Sequence, residues 1–407
     1  MQILFIHQNF PGQFGRLASH LADDPNNTVV TLGERKEGKR FPHAKVHDYW
    51  YPKPKGGGPQ THGYIRGLEA DTRRGQSVYR AMRTLKGKGY SPDVVYGHPG
   101  WGDTLFVKDV FPDAKLICFW EFFYSNEGSD RNFDPEFPST EDGMLRTRML
   151  NSTQLLAFES SDWGITPTMW QKSQFPSFMQ ETMSQVFDGI DTDIVRPNPD
   201  AVVQISDGPK LARDDEVLTY IARNLEPYRG FHTFMRSLPS ILERRPNCQV
   251  LIVGEDGVSY GKRLPEGETY KQMYQDEVGF ESDRIHFLGR LSYSNYLSVL
   301  QVSSVHLYLT YPFVLSWSCV EAMGVGCAVI GSATPPVQEL LIDDENGLLV
   351  EDMLDPQGVA DKVVETLERR NDLDEIRQAA RQAIVENYDF KTVCLPQQIE
   401  LIRRLTG

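Results

Sequence analysis

Cysteine is scarce in this chain, and the five that occur lie apart. Cys118, Cys248, Cys319, Cys327 and Cys394 form no C-x-x-C pair and no metal-ligand spacing. That usage excludes a disulfide scaffold and a cysteine-based metal centre, and it fits buried small hydrophobes in a reducing compartment. No stretch of about 18 apolar residues occurs, so no membrane-spanning helix is predicted. The start, Met1-Gln-Ile-Leu-Phe-Ile-His7, is too briefly apolar to read as a signal peptide and has no basic leader. A cytoplasmic location is therefore expected, and the sequons at Asn26 and Asn151 read as chance. Positive charge is also short: 42 Lys and Arg stand against 56 Asp and Glu, a net charge of −14. That balance argues against a nucleic-acid partner. No metal or other cofactor is expected, because no metal-ligand cluster is visible.

What is present is ample apolar material, 40% of 407 residues, enough for two α/β-sized units. Short apolar runs alternate with helical patterns, the mark of parallel sheets covered by helices. The first half offers strands at 3–7, 28–32, 94–97, 115–120 and 163–166. Between the first two, Phe14, Leu17, Ala18 and Leu21 share one helical face. A second alternation offers strands at 217–222, 249–253, 285–288, 305–309 and 328–331. Arg196-Pro-Asn-Pro-Asp200, rich in turn formers, reads as the linker. The expectation is thus an α/β protein of two Rossmann-like domains facing across a cleft, 1–195 and 196–390. Residues 53–63, with Gly56-Gly-Gly-Pro59, read as a mobile loop.

In doubly wound folds ligands bind outside the carboxyl ends of the strands, so the chemistry is sought there. One such segment is Tyr308-Leu-Thr-Tyr-Pro-Phe-Val-Leu-Ser-Trp-Ser-Cys-Val-Glu-Ala-Met-Gly324. Ser316 or Ser318 can cap a helix here, and the free N–H groups around Ser316-Trp317-Ser318 suit a diphosphate. Glu321 can accept both hydroxyls of a ribose with its two oxygens, or be an ordinary favourable acid near a helix start. A second segment, Tyr220-Ile-Ala-Arg-Asn-Leu-Glu-Pro-Tyr-Arg-Gly230, places Arg223 and Arg229 around a turn. Two guanidinium groups there suit a pyrophosphate leaving group, though surface arginines are common. Gly254-Glu-Asp-Gly257, Gly289-Arg290 and Asp188-Gly-Ile-Asp191 are turn signals at other strand ends. In the first half, His98 and Asp103 sit on Gly97-His-Pro-Gly-Trp-Gly-Asp103, and Glu121 follows another strand. Each could orient an acceptor hydroxyl or stabilise a cationic sugar; the plainer reading is a loop-bracing histidine and structural acids. Trp101, Trp120 and Tyr124 could stack on sugars or simply fill the core.

The ordered set Asp188-Gly-Ile-Asp-Thr-Asp-Ile-Val-Arg-Pro197, Arg223…Arg229-Gly230, Val253-Gly254, Phe287-Leu-Gly289, Glu321-Ala-Met-Gly-Val-Gly326 and Glu339…Asn346-Gly-Leu-Leu-Val350 resembles glycosyltransferase family 4. That family is retaining and of the GT-B fold, and with no metal-ligand cluster in the sequence a metal-independent transferase is expected. The start of the chain and Gly97–Asp103 resemble a bacterial polysaccharide-assembly subgroup. The resemblance implies a glycosyltransferase that moves a sugar from a nucleotide diphosphate sugar to a saccharide or lipid-linked acceptor, in cell-surface polysaccharide or glycolipid synthesis. It gives Arg223 and Arg229 to the donor diphosphate and Glu321 to the ribose. It sets Gly12 and Gly15 beside the reacting sugar, Glu121 where many members carry a histidine, and a final helix from about Lys391 crossing back to the first domain. There are two departures. Arg229 stands where the family usually has lysine. Phe313 stands where a glutamate usually contacts the donor sugar, so the donor sugar is not legible from that position. An epimerase or hydrolase on the same fold, and a non-catalytic sugar-nucleotide binder, are the competing readings.

Charge is unevenly spread. Residues 34–88 carry fourteen Lys and Arg against five acids, a local +9 on an acidic chain. Such a patch suits peripheral contact with an anionic membrane or a phosphate-bearing acceptor; a solvated basic surface is the alternative.

Overall fold

The computed structural model describes residues 1–34, 40–55, 60–206 and 208–407. Arg35, Lys36, Glu37 and Lys39 of the basic segment, and Gly56–Pro59 of the expected loop, lie outside them. The chain forms two compact units.

The first unit comprises Met1–Asn132, Phe137–Gly189 and Phe390–Gly407. Its strands are β1 (Gln2–Ile6), β2 (Thr28–Glu34), β3 (Val46–Tyr51), β4 (Val94–Gly97), β5 (Lys115–Phe119), β6 (Trp163–Thr166) and β7 (Met183–Gln185). They form one parallel sheet in the order β3-β2-β1-β4-β5-β6-β7. Period-two alternation divides the core. Ile3, Phe5 and Val29 pack on one face with Phe14 of the turn Gly12–Phe14 and with Leu17, Leu21, Leu401 and Ile402 of the helices Gly15–Asp23 and Leu395–Thr406. Leu4, Ile6, Val30 and Leu32 pack on the other with Val78, Met82 and Leu85 of the helix Arg66–Gly87. A sheet buried on both faces reads as unbroken apolar runs, which is why β1 and β2 were legible. β3 was not. It is an edge strand, and Val46-His-Asp-Tyr-Trp-Tyr51 buries only Val46 and Tyr51.

The second unit comprises Phe133–Glu136 and Ile190–Asp389. A two-stranded antiparallel ribbon, β8 (Val202–Gln204) with β9 (Lys210–Ala212), precedes its main sheet. That sheet contains β10 (Val217–Asn224), β11 (Gln249–Glu255), β12 (Ile285–Gly289), β13 (Val305–Tyr308), β14 (Ala328–Ser332) and β15 (Leu348–Val350). All are parallel, in the order β12-β11-β10-β13-β14-β15. Each unit is thus Rossmann-like, with its order reversing once, between β1 and β4 and between β10 and β13.

The chain passes between units at Gly189/Ile190, not at the expected Arg196-Pro-Asn-Pro-Asp200. Turn composition marks flexible chemistry, but hydrogen bonds decide membership. The N–H of Ile190 donates to the Tyr388 carbonyl at 2.9 Å, and the Thr192 hydroxyl donates to Asp389 at 2.5 Å. Arg381 donates to the carbonyls of Thr192 (2.7 Å), Gly324 (2.8 Å) and Val195. Residues 190–195 therefore belong with 196–389. At the other crossing Gly189 lies so close to Phe390 that a Cβ would sit 2.8 Å from its Cα. The short insert Phe133–Glu136 is claimed by the second unit through Asp134, which accepts from the Tyr311 hydroxyl and lies 3.0 Å from His232 Nε2.

Arg381→Met keeps the aliphatic stem but strands three carbonyls. Chemical denaturation should show the second unit losing about 3 kcal/mol; unchanged stability would mean the clamp is idle.

Candidate functional site

Ligands of doubly wound sheets sit where the strand order reverses, and each unit carries polar residues there. In the second unit β10 loses register with β11 between Ile221 and Asn224, and the chain turns sharply through Pro227–Arg229. Gly230 ends that turn at φ +67°, and a Cβ there would meet Leu309 Cβ at 2.5 Å. Only glycine fits. Glu226, 1% exposed, accepts from the backbone N–H groups of Ser259 (2.9 Å), Tyr260 (3.2 Å) and Gly261 (2.8 Å). It pins the loop that leaves β11 through Gly254, where a Cβ would meet the Ala222 carbonyl at 2.8 Å.

This turn delivers the half-buried Arg229 to the loop after β13. Its Nη1 donates to Thr310 Oγ1 (2.7 Å), the Val314 carbonyl (3.1 Å) and the Tyr308 hydroxyl (3.3 Å). Among the described residues no carboxylate lies within ion-pair distance of it. The Tyr308 hydroxyl also accepts from the N–H of Ser316 at 2.8 Å. Ser316 caps the helix Trp317–Gly324, accepting from the N–H of Ser318 at 3.4 Å, and its hydroxyl accepts from that of Ser318 at 3.0 Å. Trp317 is 39% exposed at the helix start. So Arg229, Ser316, Trp317 and Ser318 are brought together. Arg223 stands apart: it is exposed near the end of β10 and bonds to no described residue.

Glu321 lies inside the same helix, 5% exposed. Its Oε1 accepts from the Tyr293 hydroxyl and its Oε2 from the Tyr296 hydroxyl, each at 2.7 Å. Phe313 is buried in an aromatic cluster, its ring 5.6 Å from that of Tyr228 and 4.8 Å from that of Tyr260. Tyr260 in turn lies 5.8 Å from the Arg229 guanidinium.

In the first unit the loops after β1, β4 and β5 converge. Gly12, at φ +48°, brings the backbone onto His7, whose Nε2 would lie 2.7 Å from a Cβ there. Gly15 begins its helix against Pro11, 2.9 Å from a Cβ. The His98 ring lies 5.4 Å from that of His7 and stacks on Trp101 at 4.2 Å. Its Nδ1 accepts from the N–H of Gly100 at 3.2 Å, so a neutral ring carries its proton on Nε2. That nitrogen is 3.5 Å from Glu121 Oε2. Trp120 goes to the core, 1% exposed beneath Gly164.

Asp103 does not join this group. It is fully buried and accepts from the Tyr51 hydroxyl at 2.5 Å. Burial pushes its pKa up to about 7, against the opposing effects of the Tyr51 hydrogen bond and Arg74. The loop glycines turn its side chain inward: Gly102, at φ +85°, would place a Cβ 2.3 Å from the Asp71 carbonyl oxygen. Glu226, His7, Tyr293 and Tyr296 were missed by sequence reasoning. The Glu-Pro at a strand end and the Tyr-x-x-Tyr opening a helix were the available signals.

Folded Asp103 holds its proton up to about pH 7, whereas the unfolded chain gives it up near pH 4. Folding therefore binds a proton between these values, and stability falls as pH rises from 4 to 7, by up to a few kcal/mol. Asp103→Asn should flatten that decline in denaturation curves at stepped pH; a slope equal to the parent's would assign the proton elsewhere.

Comparison with known proteins agrees with the architecture. Residues 25–195 match the glycosyl transferase family 4 group, and residues 204–383 match glycosyl transferases group 1. Phosphatidyl-myo-inositol mannosyltransferase of Mycolicibacterium smegmatis is 27% identical over 208 residues, 48% of this chain and 48% of that protein. The chain thus matches about half the length of such curated relatives. Among solved structures, sucrose-phosphate synthase from Thermosynechococcus elongatus superposes with a TM-score of 0.75 at 17% identity, over 100% of this chain and 99% of that one. Anabaena HepE in complex with UDP and glucose gives 0.69 at 17% identity, over 99% and 100%. With the two family matches dividing residues 25–383 between them, this chain belongs to the family 4 glycosyltransferases and has their two-domain, Rossmann-like GT-B fold.

Proposed function

We propose that the protein transfers a sugar, with retention, from a nucleotide diphosphate sugar to a saccharide or lipid-linked acceptor. The observation that carries this reading is Arg229: a guanidinium with no carboxylate partner among the described residues, fixed beside the start of a capped helix at the strand-order reversal. Cation and helix N–H groups together favour a diphosphate. Glu321 would hold the ribose, and Arg223 would add a second positive charge. The name of the mycobacterial relatives speaks of a lipid acceptor and that of HepE of UDP and glucose, which supports both halves of the reading.

In the proposed reaction the acceptor oxygen bonds to the anomeric carbon as the bond from that carbon to the diphosphate oxygen breaks. The bonding pair leaves with the diphosphate, whose oxygen takes the acceptor's proton on the same face. No protein base is then needed. Arg229 and Arg223 offset the negative charge that grows on the leaving group. Glu121 and the Nε2–H of His98 would serve the sugar or the acceptor, the carboxylate opposing positive charge on the sugar ring. Phe313, buried against Tyr228 and Tyr260, supplies no hydrogen-bond acceptor to the sugar.

The basic segment is the proposed contact with an anionic membrane face. Arg66, Arg73, Arg80 and Arg83 are exposed on the helix Arg66–Gly87. Arg74 is not available, because it is partly buried between Glu34 and Asp71 and donates to the Trp101 carbonyl.

Two experiments test these readings. Nucleoside diphosphates with different bases should raise the melting temperature unequally. For the one that binds, Arg229→Ala should weaken affinity by roughly 2–5 kcal/mol, and Arg223→Ala by less; unaltered affinity in folded Arg229→Ala would move the site. Product formation only with acceptor present separates transfer from hydrolysis or epimerisation. Separately, Arg80→Glu with Arg83→Glu should reduce flotation with anionic vesicles at low salt, by about 1 kcal/mol per cation removed, with nucleotide affinity intact. Equal flotation of parent and variant would leave the helix a solvated surface.

A further inference from the structure

The second unit holds a polar cavity of about 380 Å³ at the end of its sheet where the strands begin. Arg213 leads into β10, Ser303 and Ser304 into β13, and Gly326 into β14, and all of them line it. Arg229, Thr310 and Ser316 follow the other ends of these parallel strands, so the cavity lies across the sheet from them. Three guanidinium groups face into it, those of Arg213, Arg370 and Arg377. Among the described residues that line it, Leu300 alone has an apolar side chain, and Gln301 and Asn371 add amides.

The arginines are held in place more than they are neutralised. The Arg377 side chain is 13% exposed. Its Nη1 donates to the Arg370 carbonyl at 2.8 Å and its Nη2 to the Ser304 carbonyl at 3.3 Å. Its carboxylate partner, Asp374 at 3.2 Å, is 71% exposed, and water screens such a pair. Arg370 lies 3.3 Å from Glu216, a carboxylate that already takes two hydrogen bonds from Arg245. Arg213 is exposed and makes no hydrogen bond or ion pair with a described residue. Burial pushes the Arg377 pKa down; Arg213 adds to that lowering, and Asp374 opposes it. Like charges thus act on one cavity, at a Coulomb cost that a bound anion removes.

We propose that this cavity is a second ligand site, for the oxyanion of a phosphate- or carboxylate-bearing sugar, separate from the proposed donor site. Either oxyanion presents paired oxygens to a planar guanidinium fork. The Gln301 and Asn371 amides offer donors and acceptors to ring hydroxyls. The exposed acids Asp214 and Asp374 limit the site to a compact anion, because a second negative charge would meet them.

The test is calorimetry at low ionic strength with glucose 6-phosphate, glucuronate and glucose as probes. The parent should bind at least one of the two anions roughly tenfold more tightly than glucose, and which of them binds identifies the charged group. Arg213→Ala should weaken that binding severalfold and Arg377→Gln by more, whereas Arg229→Ala should retain it. If Arg377→Gln unfolds, Arg213→Ala carries the test, because that side chain is exposed and bonds to no described residue. Failure of both anions to bind more tightly than glucose would overturn the proposal, as would parental affinity in Arg213→Ala. Binding lost in folded Arg229→Ala and kept in Arg213→Ala would also overturn it, and would place the anion in the donor site with the reading of Arg229 intact.

Discussion

Tyr308 Oη receives two hydrogen bonds, from the Arg229 guanidinium and from the Ser316 N–H, and much of the second unit's chemistry hangs on that meeting. The phenol sits at the end of β13, at the reversal of strand order, and burial pushes its pKa up to about 12. It therefore stays a neutral hydroxyl at any ordinary pH. A cation arriving from the turn after β10 and a helix start arriving after β13 are joined at one oxygen. Thr310 and Val314 supply the other acceptors of the same guanidinium nitrogen. Positive charge and helix terminus are thus held in fixed relation before any ligand arrives, the preorganisation that makes electrostatic stabilisation of a leaving group effective.

The turn that carries Arg229 is equally constrained from behind. Gly230 must be glycine because Leu309 fills the space a Cβ would take. Glu226 lies three residues before the arginine and is held by three backbone N–H groups of the 259–261 loop. A buried carboxylate three residues from a half-buried guanidinium is well placed to pair with it. Glu226 is instead hydrogen-bonded to backbone, and among the described residues no carboxylate lies within ion-pair distance of Arg229. That division of labour keeps the cation available to an anion while satisfying both groups.

How much of this was legible depended on burial. Strands covered on both faces, such as β1, β2, β10, β11, β13 and β14, announce themselves as apolar runs. β3, β7 and β15 lie at or beside sheet edges or are three residues long, and their patterns carry too little signal. The unit boundary was misplaced by six residues because prolines mark a turn but do not say which core the flanking residues join. Ile190 and Val195 join the second, lying 3.2 Å and 2.9 Å from a Cβ placed on Gly324. Within the site, residues on motifs were found, and residues that act on those motifs from another element were not. Tyr293 and Tyr296 are 28 and 25 positions from Glu321, and no local pattern links them. Asp103 shows the converse. A Gly-rich loop can bring an acid toward a ligand or turn it inward, and only the clash at Gly102 with the backbone of Asp71 decides for the second.

The charge distribution bears on the role proposed for Arg229. Residues 196–407 carry 21 basic and 32 acidic groups, so the field at long range is negative. In the proposed reaction a diphosphate would be short enough to meet Arg229 and the helix start rather than that wider field. Local attraction falls as the inverse of distance and is strongest where water is partly excluded, so a compact anion gains what an extended one cannot. The first unit solves a different problem at its own strand-order reversal. There the loops present aromatic and histidine rings, with His98 accepting at Nδ1 from the Gly100 N–H and the Glu121 carboxylate 3.5 Å from its Nε2. A ring-lined surface with an acid suits hydroxyl-rich groups, whereas a guanidinium with no carboxylate partner among the described residues suits the leaving phosphate of the proposed reaction. The same sheet topology thus carries two opposite electrostatic assignments, and residue chemistry at the loop tips, not the fold, makes the difference.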